Sequence, residues 1–325
     1  MGLINQSVMR AVLSSLLLRP VLGVPNLSQI FGRDAASTTT AAANAATTCN
    51  GRTEYCTRPY SNITFIGSHD SAFVGSLPQQ NQNINITAQL DMGIRYLQAQ
   101  THKSLLDDSV LELCHTSCLL EDAGSLEAYL ATIKGWLDDN PNEVVTVLLT
   151  NGDSLDISIF GSTFVSAGID TYAFVPSSEP LAYADWPTLG DLIDSGKRLV
   201  AFLDYGANTS KVDYILDEFA YYFETPYDVT DSTFSNCSID RPAGVSASGR
   251  MYLVNHYLDL DIFGIDIPAR EAAATTNAAT GDGSLGAQAT ECEALWDHVP
   301  NVMLADFVDK GQVIEAQNDL NGFTS

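Results

Sequence analysis

The chain has 325 residues, 45% of them hydrophobic and 17% charged, which supplies one large core and excludes a chain disordered throughout. Its 40 acidic against 15 basic side chains give a formal charge of −25. That charge repels nucleic-acid phosphates and excludes DNA or RNA as a partner; it also leaves at most transient contact with an anionic membrane surface.

At the N-terminus Arg10 precedes the apolar stretch Ala11–Leu18, and small residues follow around Gly23 and Val24. This is the order of a secretory signal, expected over residues 1–23. Residues 24–54, with AASTTTAAANAATT within them, offer little that is bulky to bury and read as an Ala/Thr-rich linker. A folded domain is then expected over 55–325. Two features agree with a secreted, extracellular glycoprotein, expected as a monomer. Six cysteines sit where Cys49 and Cys56, and Cys114 and Cys118, can close locally, leaving Cys237 and Cys292 as a long-range pair, with other pairings open. N-x-S/T acceptor triplets begin at Asn26, Asn62, Asn85, Asn208 and Asn236.

From there β-rich runs alternate with amphipathic segments. NITFIGSHD ends near His69, GIRYLQAQ at Gln100, and VLELCH at His115. Leu126, Tyr129, Leu130, Ile133, Trp136 and Leu137 then recur at helical spacing until Asn140-Pro141 stops the helix. VVTVLLTN ends at Asn151, a second helix reads in WPTLGDLIDSG, and RLVAFLDY ends near Asp204. MYLVNH ends at His256 and VMLADF near Asp306. Between these last two, Glu271–Thr290 is rich in small residues and reads as a surface insertion pinned by Cys292.

Alternation of this kind predicts parallel strands joined by helices: an α/β fold, expected as an irregular (β/α) TIM-type barrel with disulfide-stapled loops. An open doubly wound sheet is the alternative. In the barrel, polar residues at C-terminal strand ends converge, so His69, Gln98, Gln100, His115, Asn151, Asp204, His256 and Asp306 form one candidate site. Glu224 and Tyr227, in FETPYD, are further candidates for binding, with Tyr227 placed to stack on a polyol ring. Asn255 and His256 read equally as lining that pocket or as hydrogen-bonded core. Two imidazoles suit phosphodiester cleavage, which needs one group to take a proton from an attacking hydroxyl and another to protonate the departing oxygen.

IGSHDSA resembles the first signature of the phospholipase C X-type domain, found in phosphatidylinositol-specific phospholipase C-like phosphodiesterases. GIRYLQAQ is similar to that domain's second strand, CHTSC to the segment of its second histidine, LDDNPNEVVTVLL to a helix-to-strand segment, and VMLADF to the closing strand. The resemblance is good over about Asn62 to Leu149 and patchy beyond. It implies a secreted phosphoric diester hydrolase of phospholipase C type acting on an inositol phospholipid or a related phosphodiester. It further implies His69 as general base, His115 as general acid, Asp306 orienting His69, and Asp70 assisting His115.

The sequence also departs from that pattern. Gln98 and Gln100 stand where bacterial members carry Asp and Arg and eukaryotic signalling members carry calcium-binding acids. Neutral amides supply only dipoles against the charge that grows on phosphoryl oxygens. Arg95 is expected on the opposite face of its strand, while His102 or Lys103 is placed to reach in from the loop. No cofactor is expected; a divalent ion held by Asp70, Glu224 and Asp306 is a weaker alternative, as is a zinc site of Cys114, His115 and Cys118. A barrel that binds phosphate or polyol without turnover, and a metal-dependent phosphodiesterase, are the rival functions.

Overall fold

A computed structural model describes residues 46–323. Eight short parallel strands form the centre: β1 (Phe65–Ser68), β2 (Tyr96–Lys103), β3 (Val145–Asn151), β4 (Leu199–Leu203), β5 (Ile215–Asp217), β6 (Tyr222–Glu224), β7 (Met251–Asn255) and β8 (Val302–Ala305). Their order in the sheet is β5-β4-β3-β2-β1-β8-β7-β6, and every neighbouring pair along it is parallel. This is the strand order of a (β/α)8 barrel curled on itself. Between β5 and β6 there is no ladder; the short helix Glu218–Tyr221 bridges the seam.

Strand alternation sorts the side chains into two cores. Phe65, Tyr96, Leu148, Phe202, Tyr222, Leu253 and Leu304 fill the barrel interior. Ile66, Leu97, Val147, Leu149, Leu203 and Val254 point outward beneath the helices. Each fully buried Leu, Ile, Val or Phe stabilises by about 1.5–3 kcal/mol, so the two layers together hold the sheet. Inside, Gly67 leaves room for Leu304 and Tyr96: a Cβ there would lie 2.6 Å from a Leu304 methyl.

Four helices cover the first half of the barrel: α1 (Ile86–Met92), α2 (Leu126–Asp139), α3 (Ile157–Ala167) and α4 (Leu189–Asp194). Helix α2 presents the six apolar residues read from the sequence, all buried, and starts where the Ser125 side chain accepts from the Ala128 amide, a cap worth about 1 kcal/mol. Helix α4 opens with a reciprocal capping box between Thr188 and Asp191. Helices α5 (Leu285–Trp296) and α6 (Val313–Leu320) flank β8.

Several expectations need correction. VLELCH is not a barrel strand: Leu111–Cys114 folds back antiparallel on β2 and pairs in turn with Asp122–Ser125. The link from β2 is too short for a parallel crossover, which needs a dozen or more residues. Two barrel strands, β5 and β6, were not read as strands because three residues carry no legible periodicity. The segment Glu271–Thr290 is not a surface insertion. Ala273, Thr276, Ala279, Leu285 and Ala289 are buried in it, and its small residues permit close approach: a Cβ on Gly286 would lie 2.0 Å from the Ala279 carbonyl oxygen.

The leader at 1–23 and the linker up to residue 45 fall outside the described residues. The end of that linker is folded: Cys49 is buried in the interior core and Asn50 holds Val144 through both its backbone groups. Cys49–Cys56, Cys114–Cys118 and Cys237–Cys292 are bonded, which removes the thiolates a zinc site would need. Asn62, Asn85, Asn208 and Asn236 are all exposed. Among the described residues, no helix is long and apolar enough to cross a membrane.

Candidate active site

Parity decides which strand-end residues meet. Counting in twos from interior Phe65 places His69 inward past the end of β1, and the same count turns Gln98 and Gln100 inward on β2. It does likewise for Asp204 after β4, Glu224 on β6, Asn255 on β7 and Asp306 after β8. Asn151 and His256 have the opposite parity and leave the site. Asn151 closes a turn, donating to the Leu155 and Tyr205 carbonyls and accepting from the Leu155 amide. His256 is fully buried under the helices, with Nδ1 on Gln288 and Nε2 on the Thr276 carbonyl; burial holds its pKa below the ordinary imidazole value.

His69 occupies the mouth, 9% exposed. Its Nδ1 donates to Asp306 Oδ1 at 2.9 Å, Asn81 donates to both oxygens of the same carboxylate, and Tyr257 stacks on the ring at 3.6 Å. The ring is thus fixed in plane and tautomer, with Nε2 directed at Asp70 Oδ2, 3.5 Å away. His115 enters from the other side on the Cys114–Cys118 loop, its Nε2 3.3 Å from the same oxygen. One carboxylate oxygen therefore sits between the two imidazoles. Asp70 is held there in the left-handed region, φ 43°, a conformation that costs a non-glycine residue of order 1 kcal/mol and clusters at functional sites. Its amide donates to Gln98 Oε1 at 2.7 Å and its Oδ2 accepts from Gln100 Nε2 at 2.8 Å, while Oδ1 is buried without a partner.

The electrostatics follow from this crowding. Burial alone would lower the His69 pKa, but the carboxylates of Asp70 and Asp306 outweigh it and raise it to about 9. His115 rises too, its burial overcome by the hydrogen bond and charge of Asp70. Asp70 titrates below the usual carboxylate range: burial pushes it up, and the two imidazoles with Gln100 bring it down further. Burial raises Asp306, against the pull of His69 and Asn81. At neutral pH the His69 ring is cationic in the free protein.

Beneath His69 lies a cavity of about 40 Å³ lined by Gln98, Leu148, Thr150, Asp204, Glu218, Glu224, Arg241, Asn255, Tyr257 and Leu304. Asp204, Glu224 and Asn255 reach it as expected. One face of the Tyr227 ring carries the Arg241 guanidinium, 4.5 Å from its centroid, and the side chain stays 46% exposed. His102 and Lys103 turn away, to Asp153 and Asp108, and Arg95 pairs with Glu143 over Trp136. Sequence reading missed Asn81, Glu218, Arg241 and Tyr257. Only Tyr257 adjoined a marked segment; Arg241 lies in a long irregular stretch with no periodic signal. Nor do Asp70, Glu224 and Asp306 converge on a common point: they turn respectively to the two imidazoles, to Arg241, and to His69 with Asn81, which does not fit a hard cation needing several shared oxygens. A wider surface cleft of about 590 Å³ beside Thr290 and Leu320 is lined by only two ionisable groups, Glu293 and Asp319.

Comparison with known proteins agrees with this geometry. The profile of the PI-PLC X family matches residues 55–321. A protein of the fungus Arthroderma benhamiae, "PI-PLC X domain-containing protein 1", is 54% identical over 275 residues, covering 84% of this chain and 89% of that protein. A second from the same organism, "Uncharacterized secreted protein", is 43% identical over 274 residues, 82% of this chain and 61% of its own length. Among solved structures, phosphatidylinositol-specific phospholipase C of Listeria monocytogenes superposes with a TM-score of 0.55 at 16% identity, over 83% of this chain and 95% of that one. The Staphylococcus aureus enzyme gives 0.55 at 14% identity, over 82% and 94%. At such identities the likeness is one of fold.

Proposed function

The chain belongs to the PI-PLC X family, and we propose that within it this protein is a secreted phosphodiester hydrolase of phospholipase C type. The single observation that carries the reading is the pair of Nε2 atoms, of His69 and His115, directed from opposite sides at one oxygen position. A phosphodiester seated beside Asp70 Oδ2 meets both Nε2 atoms. His69, once deprotonated, takes the proton of a hydroxyl next to the phosphate; that oxygen attacks phosphorus as the bond to the departing alcohol breaks. His115 passes its Nε2 proton to the leaving oxygen, and a cyclic phosphodiester results. Asp306 holds the base in the right tautomer, and Asp70 keeps the acid protonated.

An inositol phospholipid as substrate is supported by the names of the solved neighbours, which are phosphatidylinositol-specific phospholipases C, and by a cavity beside His69 lined by carboxylates and amides suited to hydroxyl groups. Export is supported by a relative named as secreted, by three disulfides and by exposed acceptor asparagines. The test is hydrolysis of phosphatidylinositol in mixed micelles and of a soluble nitrophenyl phosphodiester by wild type, H69A and H115A. Turnover abolished in both variants is expected. Wild-type rates no higher than those of H69A reject the reading.

A further inference from the structure

The amides of β2 leave the site short of a positive charge beside phosphorus, and both are already engaged in shaping Asp70: Gln98 accepts from its amide, and Gln100 donates to its carboxylate while accepting from the Thr116 amide. One strong cation nevertheless borders the cavity that His69 lines. Arg241 reaches it from the irregular stretch after β6, its backbone carbonyl accepting from the Glu224 amide at 2.8 Å. The guanidinium is set by two contacts: Nη2 donates to Glu224, and the plane rests on Tyr227. Its Nε is buried with no partner. The Nε and Nη2 edge therefore has donors to spare in the fork geometry that matches two oxygens of a phosphate.

The surroundings keep that fork charged and available. Glu218 is fully buried in the same cavity with neither oxygen hydrogen-bonded, and its pKa stands well above the ordinary value through burial and the charge of Glu224. Another basic residue, Arg270, turns to Asn83 and the Gln80 carbonyl outside the cavity.

We propose that Arg241 is the group that holds the non-bridging phosphoryl oxygens of the substrate, supplying from the loop after β6 the positive charge that β2 lacks. The assignment rests on the phosphodiesterase reading and adds a residue to it. A guanidinium anchored by Glu224 and Tyr227 keeps its position while negative charge builds on phosphorus, so its contribution falls mainly on kcat.

The test compares wild type, R241Q and the charge-balanced E224Q/R241Q on a soluble nitrophenyl phosphodiester, with circular dichroism and thermal melting as controls for folding. Both variants are expected to lose about 10²–10³-fold in kcat, the range for removing one preorganised donor, and added guanidinium ion is expected to restore part of the activity of R241A. Folded variants within about threefold of wild type overturn the assignment. Should wild type show no turnover above H69A, the enzymatic reading fails by itself, and Arg241 is judged by calorimetric binding of inorganic phosphate. Affinity at least tenfold weaker in R241Q then upholds the assignment; equal binding, or none to either protein, overturns it.

Discussion

Replacing Asp306 with Asn removes one of the two carboxylates that hold the proton on His69 while leaving a similar shape and the Asn81 contact nearby. The His69 pKa of about 9, against 6.5 for an ordinary imidazole, corresponds to about 3 kcal/mol of net carboxylate stabilisation over and above the cost of burial. Asp306 bonds Nδ1 directly at 2.9 Å, whereas Asp70 stands 3.5 Å from Nε2. Asp306 acts on the ring through both its charge and its hydrogen bond, beside the larger charge effect of Asp70, so D306N should lower the His69 pKa by about one pH unit. Because a general base must be deprotonated, the acidic limb of kcat/KM against pH should move down with it, while kcat falls about 10²-fold or more as the tautomer is no longer fixed. Folding linkage gives a second readout. A raised imidazole pKa contributes stability that is complete below pH 6.5 and lost as pH rises through about 9, so wild type should weaken across that window and D306N should weaken less steeply. Histidine-selective NMR titration, the rate profile and urea unfolding at several pH values measure all three. A limb that stays within about 0.3 pH unit of wild type, with His69 still titrating near 9, would refute the ion-pair account.

Gly286→Ala drives a methyl into the Ala279 carbonyl and should destabilise by about 1–3 kcal/mol in urea unfolding, with activity of the folded fraction retained. Removing Cys237–Cys292, whose ends are 55 residues apart, should cost about 4 kcal/mol on loop-closure grounds, against about 2 kcal/mol for Cys114–Cys118; catalysis should suffer more from the second, since His115 rides on that loop. Gln100→Leu deprives Asp70 Oδ2 and the Thr116 amide of partners, and about a tenfold loss in kcat with a small change in melting temperature is expected. A G286A melting curve superimposable on wild type, a larger activity loss without Cys237–Cys292 than without Cys114–Cys118, or unchanged turnover in Q100L would each contradict the packing described.

The long strands and helix α2 were legible because seven or more residues carry a pattern strong enough to stand alone: VVTVLLTN and the stripe from Leu126 to Leu137 reappear nearly residue for residue. His69 and His115 were legible through their segments. Asn151 misled, and His256 stayed open between pocket and core, because a position at a strand end does not by itself set direction; both are one residue out of step with an inward neighbour, Thr150 or Asn255. The short strands β5 and β6 draw their stability from tertiary pairing rather than from local pattern. Arg241 lay beyond reach for a related reason: a loop residue acquires its place from contacts, here Glu224 and Tyr227, that exist only once the barrel has closed.

The missing ladder between β5 and β6 gives the barrel a soft quarter. Each of those three-residue strands has a regular partner on one side alone, so its amides have the fewest bonds to break before exchanging with solvent. Deuterium should enter there before it reaches β1, β2 or β8, making the wall that carries Glu218 and Glu224 the part of the hoop that yields first while the opposite wall, which seats His69, keeps its shape.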